Sequence, residues 1–232
     1  MNTVYFKSTL WSWKEFVVVL SLMLIVVPIC IEYVLQEVLV DFFQNNLYSG
    51  TFTGLIMSIV FMTGLYLVAL RPSHLSWREV GLTSFSHHYW KAIIGWTIFL
   101  IIGSIILVVG MEMIGITHEN SKTESIQSHV TPFHFLIAFV SASIISPVYE
   151  EILYRGFLYR WIRMRYGVMT GMITSSLIFM LVHIPTYNTL PVNFLSGLVF
   201  TWTYEKTQSV VPAIIIHGTV NGIGVILTTL AS

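Results

Sequence analysis

Apolar residues in this chain gather into long runs separated by short polar stretches. Seven runs stand out, at 16–36, 52–70, 92–114, 132–159, 169–184, 192–204 and 210–230. A helix needs roughly 17–25 apolar residues to cross a bilayer, and six of the seven reach about that length. The sixth has 13; it is expected to begin earlier, near Thr189, or to be tilted or partly re-entrant. The fourth is long, and its charged end is expected to project into water. The pattern predicts an all-α, polytopic membrane bundle of about seven transmembrane helices.

Composition strengthens that reading. Hydrophobic residues make up 55% of the chain and charged residues 9%, against about 25% charged in a typical soluble domain. There is too little polar surface to cover a water-soluble globule. The net charge is zero, which argues against a nucleic-acid partner. The one cysteine, Cys30, rules out an internal disulfide and any multi-cysteine zinc site. Val27-Pro28-Ile29 ahead of it lacks the small residues of a lipoprotein cleavage site. Lys7 and Lys14 precede the first run, but that run is too long for a signal peptide and no small-x-small site closes it. It reads as an uncleaved first span.

Charge placement tests the helix count. If all seven runs cross, Lys7, Lys14, Arg71, Arg78, Lys91, Arg160, Arg163, Arg165 and Lys206 fall on one side. Lys122 falls on the other, with Asp41, Glu119 and Glu124. Positive charge marks the cytoplasm, so the N-terminus is expected inside and the C-terminus outside. The segment 71–91, with Trp77, Arg78 and Gly81-Leu82, reads as a cytoplasmic interfacial loop. Its histidines His74, His87 and His88, and the outer His118, His129 and His134, read as solvated loop residues rather than metal ligands.

Against this background the stretch Glu150-Glu151-Ile152-Leu153-Tyr154-Arg155 is out of place. Ionisable groups at membrane depth are expensive and are kept mainly when paired or used. On a helix Glu151 and Arg155 stack at i,i+4 in the favourable acid-first order. Glu150 lies about 100° round the axis and cannot share that pairing equally. One glutamate is held and the other is left for work. His183 lies near the end of the fifth run, and His217 and Asn221 share a face of the seventh. From a turn near Gly167, Glu150 lies 17 residues back and His183 16 forward, so an antiparallel hairpin brings both to one level, ~25 Å from the turn. His217, 11 residues past Lys206, reaches a similar depth.

A single membrane His or Asn often does no more than bond a neighbouring helix, and a Glu–Arg pair can be structural. Several such groups at one depth on three helices favour a functional site. Glu beside a neutral His can deprotonate water, while donors from His217 and Asn221 can hold the oxyanion formed on a carbonyl. No cysteine nucleophile is near, and Ser143 and Ser146 have no lysine to activate them. Zinc on Glu and two His is a further possibility, but there is no H-E-x-x-H, and no cofactor is expected. Glu32 and Glu37 have no assigned role; Glu32, 16 residues past Phe16, is expected near the outer interface.

Glu150-Glu151-x-x-x-Arg155, Phe179-x-x-x-His183 and His217-x-x-x-Asn221, in that order, resemble the three motifs of the CPBP intramembrane proteases, the CAAX protease and bacteriocin-processing family. The resemblance covers about 131–230. It implies Glu150 and His183 as the water-activating pair, His217 and Asn221 as the oxyanion hole, Glu151 and Arg155 in support, and no metal. It divides one integrated membrane domain into 1–130, three helices without a motif, and 131–232, the catalytic core. It implies a membrane-embedded peptide or protein substrate in the lipid bilayer, and a site reached from the cytoplasmic side of a prokaryotic cell membrane. A non-catalytic scaffold, immunity or regulatory protein is the second reading. A proton-coupled transporter is the third, disfavoured by the absence of an inverted repeat.

Overall fold

A computed structural model describes residues 10–117, 119–127 and 131–230. Lys7, His118 and His129, and the side chain of Lys122, lie outside that description. Among the described residues the chain is all helical, a bundle of membrane helices. Helix α1 runs Trp13–Phe43, α2 Asn46–Ser73 and α3 His87–Met113. After the short α4, Ser121–Gln127, come α5 at Pro132–Tyr166 and α6 at Val168–Leu181. Helix α7 is Leu190–Thr207 and α8 Val211–Leu230. Each of the seven apolar runs is a helix. Five of them, α1, α2, α3, α5 and α8, are long and apolar enough to cross a membrane.

The ends follow local chemistry. Ser12 caps α1, with Glu15 reaching back to it in a capping box. Asn45 caps α2 through the Tyr48 amide. Helix α6 stops at Leu181, short of the expected 184, because Pro185 cannot continue the hydrogen-bond ladder. Helix α7 starts just after Thr189, the earlier of the expected positions, and its 18 residues include Asn193, Ser196, Thr201 and Thr203, which dilute its hydropathy.

The charged end of α5 does not project freely into water, as its sequence implied. The side chain of Arg160 is 3% exposed and lies 3.7 Å from Glu79 Oε2; it also donates to the Glu79 carbonyl. Arg163 forms a two-pronged pair with Glu205 at 2.9 and 2.7 Å. Arg165 donates to the Trp11 carbonyl at 2.6 Å. The arginines are drawn in because the 71–89 segment folds back over this end and supplies acceptors. At Gly156 a methyl group would run into the Val80 carbonyl, so only glycine allows the segment to lie this close. The Val210 amide donates to the Gly81 carbonyl at 2.9 Å and Ser209 Oγ to the Thr83 carbonyl at 2.6 Å. Tyr89 donates to the Lys206 carbonyl at 2.8 Å. One end of the bundle thus gathers α1, the 71–89 segment, the α5–α6 turn and the α7–α8 link.

Candidate active site

Helix α5 carries the acids. It opens into wide i→i+5 turns at Ser141–Ile145 and Ile152–Tyr159, with Pro147 between them. Proline has no N–H, so carbonyls a turn earlier lose their helical partner. Helix α8 occupies that face. Asn221 Nδ2 donates to the Ala142 carbonyl at 3.1 Å. A methyl group at Gly218 would strike the Ser143 carbonyl, and one at Gly222 would lie 2.8 Å from the Ser143 hydroxyl. Gly218 and Gly222 are four apart, the small-xxx-small spacing by which membrane helices approach closely. That approach delivers His217 onto the acids.

Glu151 is fully buried, and its Oε1 serves two partners. Arg155 Nη1 donates to it at 2.9 Å, and His217 Nδ1 lies at 2.9 Å. A carboxylate accepts, so Nδ1 carries the proton and Nε2 is turned to the other side. There Glu150 Oε2 lies 3.9 Å away, with 14% of its side chain exposed against 0% for Glu151. That separation is too long for a direct hydrogen bond and short enough for both groups to reach one small molecule. The two adjacent glutamates therefore sit in different environments around one imidazole. Glu151 is enclosed with its two partners, and Glu150 keeps a small exposed fraction.

Aromatic rings wall the pair in. Phe200 stacks on His217 at 4.7 Å between centroids. The Arg155 guanidinium carbon lies 4.4 Å from the Phe179 centroid and 5.1 Å from that of Phe200, while Arg155 Nη2 donates to the Gly197 carbonyl of α7 at 3.3 Å. Gly197 in turn permits α7 to meet α6, since a methyl there would lie 2.9 Å from Ser176 Cβ.

His183 follows the end of α6, and its Nδ1 lies 2.7 Å from the Phe179 carbonyl. A carbonyl only accepts, so Nδ1 bears a proton. Tyr154 and Phe179, four residues after Glu150 and four before His183, touch with centroids 5.1 Å apart. This antiparallel register puts Glu150 and His183 at one level. The Phe179 ring also lies 4.9 Å from His183 and 5.9 Å from His217.

Glu150, Glu151, Arg155 and His217 thus form one polar cluster, with His183 joined to it across Phe179. Asn221 lies a turn along α8, with one amide hydrogen on the Ala142 carbonyl and a second to offer. The loop histidines His74, His87 and His88 are exposed, and His134 Nδ1 pairs with the Thr131 hydroxyl at 2.9 Å. Among the described residues no three His, Cys, Asp or Glu side chains are arranged to hold a metal ion. Pro147, Phe200 and the Gly218–Gly222 pair escaped the sequence reading. The glycine spacing was visible there, whereas an aromatic residue in an apolar span looks the same whether it faces lipid or a guanidinium.

A helical membrane bundle with a buried Glu/Arg/His cluster is the class that fold and site define together. Residues 132–223 match the model of the family described as type II CAAX prenyl endopeptidase, Rce1-like. The match spans α5 to most of α8 and contains all six candidate site residues, in agreement with the three motifs. No curated protein and no solved structure matches the chain.

Proposed function

We propose that this protein is an intramembrane endopeptidase that hydrolyses a peptide bond of a membrane-associated protein or peptide. The observation that carries the reading is the unequal pair of glutamates about His217: Glu151 held at 0% exposure on Nδ1, Glu150 at 14% on the Nε2 side. Glu150, with His183 at its level, takes a proton from water as the water oxygen bonds to the scissile carbonyl carbon. The resulting oxyanion accepts hydrogen bonds from His217 and from the second amide hydrogen of Asn221. His217 donates through Nε2 while Nδ1 bonds Glu151 when the ring carries both protons. Collapse breaks the C–N bond, and the departing amine takes the proton that Glu150 accepted.

Membrane-embedded peptide precursors and regulatory membrane proteins are the substrates this proposal favours, reached from the cytoplasmic side of a prokaryotic cell membrane. The test is cleavage of candidate membrane peptides by purified protein in liposomes, comparing wild type with Glu150→Gln, with and without a chelator. Chelator-resistant cleavage that vanishes in the variant supports a glutamate-activated water. Loss with chelator and recovery with zinc assigns a metalloenzyme. A cellular phenotype that survives Glu150→Gln, with no peptide cut, assigns a scaffold.

A further inference from the structure

At the end of the bundle where the arginines of α5 gather, α3 and α7 meet twice and part between the two meetings. Tyr89, at the start of α3, donates to the carbonyl of Lys206 in the last turn of α7. Deeper in, a methyl group on Gly103 would lie 3.0 Å from a methyl of Leu195, so the helices touch again there. Gly103 is 14 residues past Tyr89 and Leu195 is 11 before Lys206, depths of ~21 and ~16 Å. Between these contacts lies a cavity of about 150 Å³, whose lining includes Tyr89, Ala92 and Trp96 of α3 and Trp202, Thr203 and Lys206 of α7. Ala92 and Trp202 are exposed, so the cavity opens on the outer, lipid-facing side of the bundle.

The lining changes character with depth. Tyr89 and Lys206 stand at the rim, while Trp202 and Trp96 lie one and two helical turns further in. The Lys206 ammonium rests over the Trp202 ring, 4.3 Å from its centroid. It has no carboxylate partner among the described residues. Its neighbour Glu205 is taken by Arg163 and Tyr159, Glu79 lies against Arg160, and no acid lines the cavity. Thr203 is 4% exposed, and its hydroxyl has no hydrogen-bond partner among the described residues. Thr97, Thr201 and Thr207 on the same two helices close theirs on a carbonyl one turn earlier, as buried hydroxyls normally do. A Lys–Trp pair at i,i+4 is by itself an ordinary surface contact. Here it forms the rim of a cavity that turns aromatic with depth and carries one uncompensated cation at its mouth. A phospholipid presents the same order of groups, a charged phosphate outside and apolar chains within.

We propose that the cleft between α3 and α7 binds one anionic phospholipid, with its phosphate on the Lys206 ammonium and the first part of an acyl chain against Trp96 and Trp202. A basic residue at the membrane surface attracts anionic headgroups, and tryptophan suits the boundary between headgroup and chain. None of the candidate site residues around Glu150 lines the cleft, so its test does not depend on proteolysis. The full chain, purified in detergent, is titrated with dioleoyl phosphatidylglycerol or with dioleoyl phosphatidylcholine, and bound lipid is counted by native mass spectrometry.

The first phosphatidylglycerol is expected to bind about fivefold tighter than the first phosphatidylcholine. Lys206→Gln abolishes that preference. Ala92→Phe, which fills the cavity and leaves every charge in place, weakens the binding of both lipids. Lys91→Gln removes an exposed base that does not line the cavity, and it keeps the preference. Glycerol phosphate, a headgroup without chains, does not displace the lipid. Equal binding of the two lipids by wild type, or a preference that survives Lys206→Gln, overturns the site. So does a loss in Lys91→Gln as large as in Lys206→Gln, which would assign the preference to diffuse surface charge. Wild-type lipid binding by Ala92→Phe places the lipid elsewhere, and displacement by glycerol phosphate makes the ligand a free phosphate compound; either outcome overturns the proposal. Melting of the variants with wild type in detergent alone excludes misfolding as the cause of a lost preference.

Discussion

Glu150 and Glu151 are chemically identical, and their surroundings give them opposite fates under the same substitution. Glu151→Gln leaves the fully buried Arg155 without its counter-charge. Removing one partner of a buried pair typically costs about 3–5 kcal/mol, so a large fall in melting temperature is expected in a detergent unfolding assay. Glu150→Gln leaves the Glu151–Arg155 pair in place, and its melting temperature is expected to fall less than that of Glu151→Gln while cleavage is lost. Equal destabilisation by the two substitutions would contradict the assignment of roles. Arg155→Lys is also expected to destabilise. One ammonium cannot reproduce a guanidinium that bonds Glu151 and the Gly197 carbonyl while lying on Phe179 and Phe200. The i,i+4 spacing made half of this arrangement legible, since it singled out Glu151 as the glutamate held by Arg155. The other half, His217 on the same Oε1, depends on how two distant helices meet and has no local signature.

Among the elements, the meeting of α5 and α8 decides whether the site exists. Two features open the way: Pro147, which removes a backbone donor from α5, and the Gly218–Gly222 pair on α8. A methyl group at Gly218 must push against a backbone carbonyl, which cannot swing aside as a side chain does. Gly218→Ala is therefore expected to displace α8, lowering both melting temperature and activity, with cleavage reduced by at least about tenfold since small misplacements of reacting groups are costly. Gly224, two residues past Gly222, has open space where its Cβ would go. Gly224→Ala is expected to be silent in both assays, and matched losses at the two positions would show that helix propensity, not contact, is responsible. All seven helices were legible as apolar runs because a membrane span must be long and apolar. Their ends were less so. Helix α1 runs through the acids Glu37 and Asp41 to Phe43, and the arginines ending α5 are folded in by acceptors from a segment more than 80 residues earlier.

For the whole molecule, the contacts made at one end turn the charge count into a geometric claim. Arg160 with Glu79, Arg163 with Glu205, Arg165 with the Trp11 carbonyl and Tyr89 with the Lys206 carbonyl all lie at a single end of the bundle. At the opposite end Asn188 bonds the carbonyls of Thr117 and Glu119. Arg160, Arg163, Arg165 and Lys206 therefore collect on one face in three dimensions, and the positive-inside rule predicts that this face is cytoplasmic. The chain's one cysteine, Cys30, can be replaced by serine to give a background for labelling. In spheroplasts, an impermeant maleimide added outside is expected to label Tyr187→Cys, which is 66% exposed, and to leave the exposed His87→Cys untouched until the membrane is opened. The reverse pattern would invert the protein and, with it, the side from which Glu150 is reached. Labelling of both from outside would mean that α6 and α7, neither among the five helices long and apolar enough to cross, form a re-entrant pair. His183 would then lie on a hairpin dipping into the membrane rather than between two spans, and a peptide could enter beside it without parting two full-length helices.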